Sequence, residues 1–278
     1  MRIPASAIPF SSVYRRGISI GISDMLAYRG SFFVQFFFQL FPLVTAIFLW
    51  RAVYHSGGAG MAPGGYSENT MLSYFVLMNM IRLATFVEDM QWTLPQQIRK
   101  GELNKYLVRP VDFVMMEWHM RMGQALMALI LLIIPAGLVF FFARAIMVVP
   151  AEGWRWGAFV LSIFMGLQIG FLVSICVGFT AFWVLENSSL QYAIFPIQML
   201  LAGGWFPLEM LPAKVFAVVS KLPWAYETYL PMRIYLGRLD LDGAIEGLLG
   251  QCVWVALLAA LSFGMWRRGL KRYAAVGG

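Results

Sequence analysis

The side chains able to make and break bonds are few and scattered. Histidine occurs at His55 and His119 and cysteine at Cys176 and Cys252. Neither pair has metal-ligand spacing, and CxxC and HExxH patterns are absent. No GxxxxGK[ST] loop is present to cradle the phosphates of ATP. The acidic pair Glu88-Asp89 falls at the boundary of an apolar segment, where charges are ordinary. Both cysteines lie within apolar stretches, where a thiol behaves as a small apolar residue, so no disulfide is expected. These absences argue against a catalytic centre or a metal site on this chain.

Three polar side chains stand inside otherwise apolar segments and can meet a solute. Arg82 interrupts the apolar stretch 69–87, and a cation there is costly unless it faces protein or water. Gln35 and Gln39 share one helical face with Pro42 and Thr45, at spacings of four, three and three. Their amides would lack partners in lipid, so this face should meet another helix or a wet cavity. Gln35, Gln39 and Arg82 are therefore candidates for a translocation path; packing between helices and, for Arg82, snorkelling are the alternatives.

The elements that must carry these residues follow from composition. The chain of 278 residues is 60% hydrophobic and 13% charged, against about 25% charged in ordinary soluble domains. The intervals 30–50, 122–143, 156–185, 187–208 and 247–266 contain no Asp, Glu, Lys or Arg, and about 20 apolar residues cross a bilayer. With the Arg82 segment, this predicts an all-α polytopic membrane protein with six spans, at 30–53, 69–90, 122–143, 156–185, 187–206 and 243–266, forming a single transmembrane domain.

Lys and Arg set the expected orientation. They crowd the N-terminal arm (Arg2, Arg15, Arg16, Arg29), the segment 91–121 (Arg99, Lys100, Lys105, Arg109, Arg121) and the tail (Arg267, Arg268, Lys271, Arg272). The opposite loops are poorer in cations, and the Gly-rich stretch 55–66 has none, so both termini should be cytoplasmic. The net charge of +7 is what that rule produces and does not call for nucleic acid. The start lacks the charged-then-apolar pattern of a cleaved signal, so the first span is expected to remain as an anchor. Before it, Tyr14, Ile18, Ile22 and Met25 recur at helical spacing, which predicts an amphipathic helix within 1–29 at the cytoplasmic interface, in contact with membrane lipids.

Two further patterns concern packing. Ser162, Gly166, Gly170, Ser174 and Gly178 repeat every fourth residue, a ladder of small side chains that lets helix backbones approach closely. Between 203 and 242, Gly203, Gly204, Pro207, Pro212, Pro223 and Pro231 cut the chain into pieces too short to span. Short helices over 211–220 and 223–236, with Trp205, Trp224, Tyr226, Tyr229 and Tyr235, predict an external re-entrant hairpin at 207–242.

The segment 96–111 alternates charge with Ile98, Leu103, Tyr106, Leu107 and Val111. Gly101 can turn the chain between two short helices and Pro110 can stop the second. Gly101-Glu102-Leu103, Tyr106-Leu107 and Arg109-Pro110-Val111 resemble the motif after the second helix in ABC-2 type export permeases; the Phe206-Pro207 turn and the closing span are similar to the same family. The resemblance covers nearly the whole chain. It implies an export permease of a bacterial inner membrane, paired with a second copy or paralogue and bound to cytoplasmic ATPase subunits that hold ATP and Mg. It also implies that Ile98, Arg99, Gly101, Glu102, Leu103, Tyr106, Leu107, Arg109 and Pro110 couple to that ATPase, and that the cargo is a small amphipathic molecule, drug, lipid or peptide. An ion-driven secondary transporter would need matched broken helices and midplane charges, of which Arg82 alone qualifies; a membrane enzyme is the weaker rival.

Overall fold

The computed structural model describes residues 10–57, 63–85, 90–108, 111–184 and 188–276. The described residues are mostly helical and include no strand. In chain order the helices are α1 (Phe10–Ala27), α2 (Arg29–Ser56), α3 (Glu68–Thr85), α4 (Met90–Arg99), α5 (Asn104–Leu107) and α6 (Phe113–Ala143). They continue with α7 (Gly153–Phe179), α8 (Ser188–Leu201), α9 (Ala213–Val219), α10 (Leu230–Tyr235) and α11 (Leu241–Val276). Four of them, α2, α6, α7 with its 3-10 extension, and α11, are long and apolar enough to cross a membrane. This is an all-α polytopic membrane protein.

The fifth apolar interval behaves differently. α8 has 14 residues, about 21 Å at 1.5 Å per residue, less than the roughly 30 Å hydrocarbon core. It ends because Gly203 takes a left-handed φ of 76°, which reverses the chain cheaply only at glycine. The two carbonyls just past its end are taken up by other elements: Tyr74 Oη donates to Gly203 O at 2.6 Å and Thr228 Oγ1 to Ala202 O at 2.7 Å. The proline-punctuated stretch that follows forms α9, a π-helical turn at Ala225–Tyr229, and α10.

The ladder on α7 is the axis of the fold. An ideal Cβ at Gly166 would lie 2.2 Å from Glu227 O in the π turn, and one at Gly178 would lie 2.9 Å from Met90 O on α4. At Ser162 the backbone carbonyl accepts from Gln251 Nε2 of α11 at 2.9 Å, and the same nitrogen donates to Tyr226 O at 2.8 Å. One face of α7 therefore seats α11, the π turn and α4 in succession.

α1 has a partner that its sequence pattern does not announce. Its buried side is Tyr14, Gly17 and Gly21, and it lies along the first half of α6. Cβ atoms at Gly21 and Gly123 would come within 1.9 Å of Met120 O and 2.2 Å of Ile18 O. Tyr14 stacks on His119 at 4.9 Å between ring centroids. The expected interfacial helix is thus clamped to a span by glycine contacts, with Arg15, Arg16 and Ser19 on its exposed side.

Candidate functional site

α3, α4, α6, α7, α8 and the π turn enclose a partly open cavity of about 250 Å³. Its walls are largely Met78, Met122, Met199, Phe171, Phe195 and Trp224, and Arg82, Gln91, Arg121, Gln198 and Glu227 interrupt them. Two guanidinium groups and a carboxylate thus line one space inside a membrane protein, an arrangement kept where polar work is done. Glu227 is the carboxylate whose field acts on Arg82. Methionine sulfur completes the polar shell, accepting from Arg82 Nη1 (Met199 Sδ, 3.6 Å) and from Arg121 Nη2 (Met90 Sδ, 3.1 Å). Flexible, polarizable thioethers adapt to differently shaped apolar groups.

One wall of the cavity is the start of α4, and the end of α4 is an elbow. Gly101, at φ 74°, closes the helix: its amide donates to Ile98 O, and Glu102 N donates to Gln97 O at 2.9 Å. This left-handed glycine cap satisfies carbonyls that the helix end orphans. α5 follows at once and rests on a floor of rings, with Tyr106 edge-on to Phe113 at 4.9 Å and Phe113 stacked on Trp266 at 4.8 Å. Tyr106 Oη also donates to Glu117 Oε1 at 2.9 Å. Beyond that floor Leu107 and Val108 are exposed, at 47% and 81%.

A family model described as ABC-2 family transporter protein matches residues 40–277. The chain belongs to the ABC-2 transporter family. No curated protein and no solved structure matches it.

Within this ABC-2 transporter the sequence-derived residues separate into groups. Arg82 lines the cavity, whereas Gln35 and Gln39 do not; they are half-buried on α2 beside Phe32 and Phe36, which pack against Leu83, Ala128 and Leu132. Of the ladder, Gly166, Gly170 and Ser174 line the cavity, and Ser162 and Gly178 lie at its two ends.

The coupling residues also divide. Leu103 is fully buried and Ile98 nearly so, in one apolar cluster with Leu94, Phe113 and Phe179. Both hold the elbow to the bundle, and this corrects the expectation that Leu103 offers its side chain to a partner. Tyr106 is half-buried for the same reason, while Arg99, Glu102 and Leu107 are exposed. Arg109 and Pro110 lie outside the described residues.

Four charged or amide cavity residues escaped the sequence reading. Glu227 sits among aromatics that read as a boundary segment, Arg121 counts only as a loop cation, Gln91 opens a helix that reads as the end of a span, and Gln198 reads as one position of an apolar interval. A glutamate in a segment otherwise rich in Trp and Tyr was the available signal. The string Gly17-Ile18-Ser19-Ile20-Gly21 spells G-x-S-x-G, but that motif needs a sharp strand-to-helix turn to present its serine. Here it runs mid-helix, and Ser19 Oγ donates to Arg15 O at 3.4 Å.

The end of the bundle opposite the elbow is tied by polar contacts. Buried Tyr66 donates to Glu209 Oε2 at 3.1 Å, and Glu209 Oε1 pairs with Arg233 Nε at 3.1 Å. Arg238 donates to Gly64 O and Gly65 O and covers the Tyr66 ring at 4.5 Å. Burial, followed by the Glu209 carboxylate, pushes the Tyr66 phenol well above its ordinary value.

Proposed function

We propose that this chain is the permease subunit of an ATP-driven exporter in a bacterial inner membrane, with both termini and the α4–α5 elbow on the cytoplasmic side. ATP and Mg belong to a separate ATPase, and the permease pairs with a second copy or a paralogue. The observation that carries the reading is the elbow: an exposed Leu107–Val108 ridge held rigidly from beneath by Leu103, Tyr106 and Phe113. A preformed apolar knob with Glu102 and Arg99 at its rim suits a groove on a partner, with charges setting register. The cargo is a small amphipathic molecule whose apolar part meets the Met and Phe walls and whose polar part meets Arg82.

The test is co-purification of the ATPase with Leu107→Asp, using the native complex. The expected outcome is loss of the ATPase while the permease stays inserted and thermally unchanged, since a charge on the exposed ridge costs nothing until a partner desolvates it. Retention of the ATPase and of ATP hydrolysis in the variant would remove the elbow from the mechanism. Extracellular labelling of a cysteine placed at Lys105 would overturn the orientation.

A further inference from the structure

α4 touches both functional regions: Met90 and Gln91 line the cavity, and ten residues after the helix begins the chain turns into the elbow. Besides the apolar packing of Met90, Leu94 and Ile98, α4 is tied by polar contacts at Gln91. Its backbone N–H, one of the donors that a helix start leaves without a partner, donates to Ser174 Oγ of α7 at 2.9 Å. Its backbone carbonyl would normally accept from the amide four residues on, but that residue is Pro95, which has no N–H. The carbonyl instead accepts from the side-chain amide of Gln191, a buried residue of α8. A single peptide position on α4 is thus bound to α7 through its donor and to α8 through its acceptor.

We infer that Gln191 is a positioning residue that ties α8 to α4, so that movement of the elbow changes the cavity wall formed by Phe195, Gln198 and Met199. The inference rests on the permease reading above. The bond is lateral and replaceable. Proline takes the carbonyl out of the helix ladder, so the Gln191 amide holds it without competing with a helical hydrogen bond, and α8 follows α4 through that amide. Four residues separate Gln191 from Phe195, one turn, so the tie and the wall share one face of α8. Gly178 gives α4 a close seat on α7 near the joint, against the Met90 carbonyl and the Leu94 side chain.

The experiment uses the permease assembled with its native ATPase, with exposed Cys252 replaced by serine and a reporter cysteine introduced by Ala202→Cys in the cavity wall. The measurement is the rate of maleimide labelling with and without ATP, alongside thermal unfolding. Gln191→Met keeps side-chain length and removes the donor. The expected result is that it abolishes the ATP-dependent change in labelling while the ATPase still co-purifies. Pro95→Ala supplies the missing backbone amide to the Gln91 carbonyl. Combined with Gln191→Met it should recover thermal stability and still show no ATP response, because α8 remains untied; it also serves if Gln191→Met alone does not fold. A full ATP response in Gln191→Met, or its recovery in the double variant, overturns the inference and leaves the permease reading intact. A parent complex with no ATP response at position 202 overturns the inference alone, and a parent that binds no ATPase overturns both.

Discussion

The two ends of the bundle are built by opposite means. At one end Tyr66, Glu209, Arg233 and Arg238 form directional bonds between residues far apart in sequence, which fix α3, α10 and the loop before α3 in a single geometry. At the other, Leu103, Tyr106, Phe113, Phe179 and Trp266 hold the elbow mainly through apolar and ring contacts, whose strength lies in the number of close approaches and not in the direction of any one. One end is thus fixed by the direction of its bonds and the other by packing, and the exposed ridge stands on the packed end.

The largest lesion lies between the two ends. Gly166→Leu would drive a side chain into the Glu227 carbonyl, and with the backbones already in contact the loss should reach or exceed about 3 kcal/mol. It should abolish assembly altogether, as read by size-exclusion chromatography of the detergent extract. A folded Gly166→Leu protein would mean that the α7 ladder does not bear on the π turn. Next comes Leu103→Asp at the elbow. A charge at a fully buried apolar site costs several kcal/mol, so this variant should lose thermal stability, in contrast to Leu107→Asp four residues on. Equal stability of the two would erase the distinction between the floor and the ridge.

At the polar end, Glu209→Gln leaves Arg233 without its carboxylate. The pair is partly exposed, with 14% and 26% of the two side chains accessible, so the cost should be on the order of 1–3 kcal/mol in thermal unfolding. Arg233→Gln in the same chain should recover part of it. A loss of stability with no recovery in the double variant would show that the two side chains do not act as a pair.

The smallest effect is in alkali. Because the Tyr66 phenol is raised above its ordinary value near 10, the folded protein keeps that proton to higher pH than the unfolded chain. Its contribution is complete below pH about 10 and is lost as pH climbs from there toward the folded value. Tyr66→Phe should therefore make the fall of stability above pH 10 shallower. An unchanged slope would mean that the phenol is not held inside the network.

Much of this architecture is readable from residue order. Pro212, Pro223 and Pro231 divide the segment after α8 into pieces because proline acts locally: α9 lies between the first two, the π turn between the second and third, and α10 opens on the third. Gly101 turns the chain between α4 and α5 for the same local reason. What the sequence hides is non-local. Leu103 and Leu107 are equivalent as letters, and only the ring floor from Phe113 and Trp266, distant along the chain, decides which one is buried. Gln35 and Gln39 share a polar stripe, yet the cavity draws its polar groups from six other elements. Gln91 carries weight because of a proline four residues later and a glutamine a hundred residues later, a relation that periodicity cannot express.

The clasp between α1 and α6 has a consequence in time. Chains emerge from the ribosome N-terminus first, at about 5–20 residues per second. Gly17 and Gly21 therefore exist for several seconds before Met120 and Gly123 are made. Through that interval α1 has no protein surface to cover its apolar side, and the stripe that reads as amphipathic is what it has to rest on the bilayer while it waits. The docking of α1 is then a late event of synthesis, closing over a span already threaded, and a chain cut short before residue 124 would leave it permanently on the surface.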